Sequence, residues 1–231
     1  MRPAEVAVQY VRCDEAPAPG PWLAESELAE LARWHAQQRR VQFLAGRLAA
    51  KELVRELLGQ SSVELAAIEI RSQDGRGRGV QPALRVAGQP GPFRLSIAHT
   101  ARGAVAAASL RPAWGIGVDL VPRDLEARNL ARAWFTPAEV QWLAGGRGYG
   151  PAAIWAAKEA AYKAAGGGEP FRPRCIQIYP LAGGRLAARL HGPTAGPLVE
   201  IYIEALDGHL AAVALAVPVP APQGAGGGHH D

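Results

Sequence analysis

The sequence predicts an α+β protein of two similar halves related by a pseudo-twofold axis, and three observations carry that reading. The order strand, helices, run of strands occurs twice along the 231 residues, with a break near Arg111-Pro112. The strand runs alternate apolar and polar residues, as in EVAVQYVR from Glu5 to Arg12. Gly183-Gly184 and Asp207-Gly208 fall between such runs and supply hairpin turns. The repetition lies in element order only, because no residue-level repeat is visible. Such pseudosymmetry places a ligand cleft between the halves.

Each element has a local reason. After the strand at 5–12, helical sequence runs from about Glu25 to Trp34 and from about Gln38 to Leu58. In the second helix Val41, Leu44 and Leu48 form an apolar stripe, and Gly59 is the stop. Strand-like runs follow at 65–71, 83–86, 93–98 and 104–110. The second half opens with the strand WGIGVDLV at 114–121. Thr136 is a helix N-cap, with Pro137 at the first helical position and Glu139 completing a capping box. A helix from about Ala152 to Ala165 ends at Gly166-Gly167-Gly168, and strands follow at 175–179, 185–190, 198–205 and 209–217. The boundaries are therefore 1–112 for the first half, 113–217 for the second, and 218–231 for a Pro/Gly-rich tail expected to be disordered.

Composition narrows the function classes. Hydrophobic residues at 48% and charged residues at 20% describe a globular chain and exclude a disordered or fibrous one. A net charge of +4 suits an anionic ligand or acidic partner without choosing one. A nucleic-acid-binding domain would use that charge, but the basic residues are dispersed and no aromatic-basic platform accompanies them. Cys13 and Cys175 have no metal-ligand or redox spacing. The N-terminus lacks the apolar stretch of a signal peptide, and the run Leu210 to Val217 is too short to span a bilayer. A cytoplasmic protein with no membrane or nucleic-acid partner is expected. His229 and His230 lie in the tail and are weak metal candidates.

Two segments carry chemistry. Along the strand from Gly115, residues Gly117, Asp119 and Val121 share one face and Ile116, Val118 and Leu120 the other. An acid inside an otherwise uncharged strand is disfavoured unless it is paired, and the flanking glycines let a ligand or another backbone approach. The plain alternative is an aspartate capping the next turn. On the helix Trp155 to Lys163, the residues Trp155, Glu159 and Lys163 are successive i, i+4 neighbours. An ordinary Glu159–Lys163 surface pair is the competing explanation. A tryptophan beside the pair, on a helix made largely of alanine, argues that this face packs against something.

In order and spacing, Gly115-Ile116-Gly117-Val118-Asp119, Phe135-Thr136-Pro137-Ala138-Glu139 and Trp155-Ala156-Ala157-Lys158-Glu159-Ala160-Ala161-Tyr162-Lys163 resemble the 4′-phosphopantetheinyl transferases. The spread over two halves resembles the surfactin-synthetase-activating, monomeric type. Gln42-Phe43-Leu44-Ala45-Gly46-Arg47-Leu48 is similar to that family's helix near the nucleotide end of coenzyme A. Arg47, Lys51 and Arg55 form a basic row suited to the 3′-phosphate, although Arg55 and Lys51 also fit a solvated helix face. Phe93 to Thr100 resembles the family's strand ending in Ser-His-Ser, so His99 inherits a contact to the coenzyme phosphates.

The resemblance implies transfer of 4′-phosphopantetheine from coenzyme A to a serine of an apo acyl, polyketide or peptidyl carrier protein, with 3′,5′-adenosine bisphosphate leaving. It implies Mg2+ held by Asp119 and Glu159, phosphate charge stabilised by Lys163, and either Glu159 or a metal-bound water as base. Three positions depart from the pattern. Val121 stands where many members carry a further acid, Gln81 where a phosphate-binding lysine is usual unless Arg76 or Arg78 substitutes, and Ala98 where a serine precedes the histidine. The alternative is a non-catalytic relative that binds coenzyme A or a nucleotide. Leu143 and Trp142 are either a carrier-protein contact or core.

Overall fold

The computed structural model describes residues 2–74, 77–125, 128–146, 148–167, 170–191 and 198–218. The tail from 219 on, with His229 and His230, lies outside these, as do Arg76 and Gly168. The first half contains β1 (Val6–Arg12), α1 (Glu25–Ala32), α2 (Gln37–Leu57), β2 (Ile68–Gln73), β3 (Gly79–Val86), β4 (Gln89–Pro90), β5 (Arg94–His99) and β6 (Gly103–Ser109). The second contains β7 (Gly115–Pro122), α3 (Arg128–Trp134), α4 (Pro137–Ala144), α5 (Pro151–Ala164), β8 (Ile176–Leu181), β9 (Arg185–Leu190), β10 (Val199–Leu206) and β11 (His209–Ala216).

The chain is α+β, with antiparallel sheets ordered β1-β6-β5, β2-β3-β4 and β7-β11-β10-β9-β8. In each half the first strand pairs with the last, and the last with a strand before it. That common order is the expected likeness of the halves. Strand alternation explains how they meet. On β6, Ala104, Ala106 and Ala108 pack against α2, while Val105 and Ala107 pack the opposite way. There they meet Ile116, Val118 and Leu120 of β7 with Val213 and Leu215 of β11. The far face of the second sheet is covered by α5 through Ala156, Ala157, Ala160 and Ala164. The layers therefore run helix, sheet, sheet, helix, with β5 beside β7, and the alanine content lets the layers sit close.

The halves also repeat at residue level, contrary to the reading from sequence: Ala49-Ala50-Lys51-Glu52 and Ala156-Ala157-Lys158-Glu159 are identical and carry equivalent lysines. In the first, Lys51 donates to the carbonyls of Leu65 (2.8 Å) and Ile68 (2.6 Å) and pairs with Glu27 at 2.6 Å. Glu27 in turn accepts the backbone N–H groups of Ala24 and Ile70. In the second, Lys158 donates to the carbonyls of Pro173 and Ile176 and pairs with Glu139 at 2.8 Å. Glu139 accepts from Thr136 and Ile178. All four side chains are fully buried. Each clamp joins the start of a short helix, the middle of the long helix and the strand after it. The capping box at Thr136 is complete, whereas Ala24 has no hydroxyl, so only the glutamate half forms there.

Most expected elements are present within a residue or two. The run at 65–71 divides into a short helical turn at 65–67 and β2, β3 begins earlier than expected, and α3 and β4 carried no sequence signal. The Asp207-Gly208 hairpin has both residues at positive φ, +40° and +76°, the geometry of a tight type I′ turn. Among the described residues no helix is long and apolar enough to cross a membrane.

Candidate active site

On β7, Val121 packs toward α5 with Asp119, while Ile116, Val118 and Leu120 pack on the opposite sheet. Gly115 and Gly117 have a mundane task. A methyl at either would overlap the carbonyl oxygens of Ala164 and Ala160, so the glycines admit the backbone of α5. That close approach delivers Lys163 to Asp119.

Lys163 Nζ lies 2.8 Å from Asp119 Oδ1 and 2.9 Å from the Val118 carbonyl oxygen, which it also bonds. Asp119 is buried. Glu159, one turn earlier on α5, has its carboxyl pushed up to about 7. Burial is the main cause, the Asp119 charge adds to it, and Lys163 and a hydrogen bond with Trp155 oppose it. The i, i+4 neighbours of the helix thus meet on one face, but the ammonium rests on Asp119 across the interface. Trp155 packs edge-on against Phe171, ring centroids 5.7 Å apart, which gives the tryptophan its packing partner.

Two neighbouring carboxylates of which one resists ionisation suit a hard divalent cation, whose charge removes their mutual repulsion. Val121 is 5% exposed and packed in the core with Phe135 and Ile154, and it adds no oxygen. Among the described residues no group of three or more His, Cys, Asp or Glu side chains gathers to hold a metal. Among the described residues, Asp119 and Glu159 are the carboxylates this face offers to such an ion.

Of Asp119, Glu159 and Lys163, Lys163 lines a cleft between the halves. One part, about 290 Å3, is lined by Arg47, Ser72, Gln81, Ser96, Tyr162 and Lys163 among others. A second, about 190 Å3, shares Ser72 and Gly79 with it and is lined by Trp34, Arg39, Phe43 and His99. A larger hollow of about 530 Å3 lies elsewhere, beside Phe135 and Val140, but it holds none of these charged groups. His99 ends β5 with part of its ring open to solvent. The surrounding protein, then Arg39 and Lys163, push its imidazole down to about 4, so it is neutral at pH 7. Ser96, buried on the same strand, accepts the Val118 N–H at 3.0 Å and ties β5 to β7 beside Lys163.

Arg47 and Lys51 differ from expectation. Arg47 lines the cleft, but its guanidinium reaches Glu30 at 2.9 Å, Ser72 at 2.7 Å and Glu27 at 3.6 Å, with almost no exposed surface. A cation so paired and buried is poorly placed to read an incoming phosphate. Lys51 belongs to the buried clamp and not to a solvated face. The reason is helical geometry: the stripe that buries Leu44 also turns Arg47 and Lys51 inward against α1. Arg78 is paired with Asp74 at 2.7 Å. Sequence reasoning missed Arg39, Ser72, Ser96 and Tyr162. The Arg39-Arg40 pair at the start of α2 was a signal for the first, and no spacing marked the others. Trp142 and Leu143 pack, partly buried, against the core of the second half.

Residues 115–214 match the 4′-phosphopantetheinyl transferase superfamily. The match spans the segment that carries Asp119, Glu159 and Lys163. No curated protein matches the chain by sequence. Two solved structures similar to it are holo-acyl-carrier-protein synthases. That of Bacillus anthracis str. Ames, in complex with CoA (3′,5′-ADP), is 25% identical with a TM-score of 0.37, covering 45% of this chain and 92% of its own. That of Thermotoga maritima is 22% identical with a TM-score of 0.36, covering 57% of this chain and 74% of its own.

Proposed function

We propose that this chain transfers 4′-phosphopantetheine from coenzyme A to the serine of an apo carrier protein, and that Asp119 and Glu159 hold the Mg2+ it uses. One observation carries the reading. Lys163 rests on Asp119 at 2.8 Å near the partly buried carboxyl of Glu159, within the segment that matches the transferase superfamily. When bound, Mg2+ supplies charge neutralisation and orientation of the coenzyme pyrophosphate.

The chain's own residues do the rest. Lys163 is a flexible point charge for the phosphate oxygens, and His99 supplies a neutral N–H donor from the opposite half. Arg39, beside His99 in the smaller part of the cleft, takes the nucleotide phosphate role that Arg47 is too enclosed to fill. The serine proton would pass to Glu159 or to a water held with the Mg2+. Residues 1–112 then form the nucleotide side and 113–217 the metal side, so one chain completes the cleft as a monomer.

The buried Val121 favours a second reading, a relative that binds coenzyme A without turnover. Mass spectrometry of an apo carrier protein incubated with the chain, coenzyme A and Mg2+ decides between them. Gain of one phosphopantetheine supports the transferase. Coenzyme A binding with no mass gain supports the binder.

A further inference from the structure

We infer that His209, in the second half, is a positioning residue for His99, in the first, and acts through the hydroxyl of Thr100. This rests on the proposed transferase reading for its consequence in ligand binding, though not for its geometry.

His209 opens β11, is 2% exposed and lies outside the lining of both parts of the cleft. Its Nδ1 lies 2.9 Å from the carbonyl oxygen of Asp207. A carbonyl only accepts, so Nδ1 carries a proton, and in the neutral ring Nε2 presents its lone pair. That lone pair faces Thr100 Oγ1 at 3.0 Å. Thr100 Oγ1 already accepts the backbone N–H groups of Arg102 (3.2 Å) and Gly103 (3.3 Å), and for its own proton the His209 nitrogen at 3.0 Å is a nearer acceptor than the Gly103 carbonyl oxygen at 3.4 Å. The hydroxyl is therefore the hub of the turn joining β5 to β6, and Thr100 directly follows His99.

The hairpin that carries His209 grips the first half elsewhere too. Asp207, held at φ +40°, accepts the Tyr10 hydroxyl at 3.2 Å and sits 3.7 Å from Arg12. The Tyr10 ring lies against the His209 ring, centroids 6.1 Å apart. The β10–β11 hairpin of the second half thus fixes the turn that ends the His99 strand. In doing so it sets His99 relative to Lys163, which is anchored on β7 of that same sheet.

The test compares variants that keep or lose one contact. Thr100→Val removes the hydroxyl and Thr100→Ser keeps it. His209→Asn keeps the donor to Asp207 but falls short of Thr100, and His209→Gln reaches Thr100. The His99 imidazole signals are read by NMR in the ligand-free chain, and coenzyme A affinity with Mg2+ by calorimetry. Thr100→Val and His209→Asn are expected to move the His99 signals and weaken coenzyme A about tenfold, the scale of one lost hydrogen bond. Thr100→Ser and His209→Gln are expected to restore both. If Thr100→Val does not fold, the two His209 variants decide. Unmoved His99 signals in His209→Asn overturn the inference. Wild-type chain that binds no coenzyme A overturns the functional reading instead, and the His99 signals still judge the tether.

Discussion

Lys163 bonds Asp119 across the interface between α5 and β7, at 2.8 Å, and so keeps the ammonium within reach of any cation held by the same carboxylate. The arrangement implies opposing effects on two ligands. An ammonium beside a carboxylate pair repels a divalent cation and attracts a phosphate. Lys163→Met is therefore expected to tighten Mg2+ binding to the free chain while weakening coenzyme A by about tenfold or more, since charge-assisted hydrogen bonds are the stronger kind. Calorimetry of each ligand alone checks both signs. A parallel loss of both would show that Lys163 mainly holds Asp119 in place.

The carboxyl of Glu159 gives a pH dependence with a definite sign. Its folded value, about 7, lies above the ordinary 4.5 because ionisation is costly beside Asp119 in a buried site. As pH rises from 4.5 through 7 the unfolded chain releases this proton first, so stability falls across that window. Glu159→Gln removes the cost. Thermal melts of the metal-free protein are expected to show the variant more stable than wild type at pH 8 and similar to it at pH 5. Mg2+ affinity of the wild type should rise with pH and level off above about 7. A variant no more stable at pH 8 would mean that Lys163 already neutralises the pair.

Direct loss of the pair is the simplest check on transfer. Asp119→Ala and Glu159→Ala should each abolish phosphopantetheine gain by an apo carrier protein, read by mass spectrometry, with circular dichroism unchanged. Full activity in either variant would remove the metal assignment.

The fold was legible wherever periodicity and punctuation coincide. The GIGVD strand, the Thr136 box and the Gly59 stop all combine a pattern with a residue whose backbone preference is strong. The residue-level duplication was written in the chain but went unread: Ala49-Ala50-Lys51-Glu52 and Ala156-Ala157-Lys158-Glu159 are identical, yet so short a match of common residues does not stand out, and Glu27 and Glu139 do the same work from unlike surroundings, Ala24 and Thr136. The site divided along the same line. Glu159 and Lys163 could be read as neighbours from their i, i+4 spacing, whereas joining Asp119 to them rested on the family resemblance. Arg47 and Arg39 could not be ranked, since a basic residue on a helix reads alike whether a carboxylate from another helix covers it or not. Burial of Arg47 depends on Glu27 and Glu30 of α1, a tertiary contact with no local signature.

The two buried clamps differ in one respect that predicts unequal sensitivity. Glu27 faces Lys51 at 2.6 Å and also Arg47 at 3.6 Å, whereas Glu139 has no second cation within ion-pair distance among the described residues. Removing one partner of a buried pair strands the other, at a cost of roughly 3–5 kcal/mol. Lys158→Met should approach that figure, and Lys51→Met should cost less because Arg47 still faces Glu27. Denaturant melts at neutral pH measure the difference. An equal loss would mean that the bonds to the backbone carbonyls, shared by both lysines, dominate each clamp.

Arg47 and Arg39 separate stability from ligand reading. Arg47→Ala leaves Glu30 buried without its cation and Ser72 without its partner, so the variant should lose several kcal/mol of stability, on the order of 3–5. Its effect on ligands should be indiscriminate, weakening coenzyme A and 3′-dephospho-coenzyme A alike. Arg39 is exposed at the cleft beside His99, and its guanidinium donates to Gln42 at 3.3 Å. Arg39→Ala should therefore leave the melting temperature nearly unchanged. It should weaken coenzyme A about tenfold and the 3′-dephospho form much less, because a single exposed charge-assisted contact is lost. Removal of the Arg39 positive charge should also let the His99 imidazole rise from about 4, which an NMR titration of that ring reads independently of any ligand. If Arg47→Ala instead discriminates between the two coenzymes while Arg39→Ala does not, the 3′-phosphate is read from within the buried network, and α1 must move to admit it.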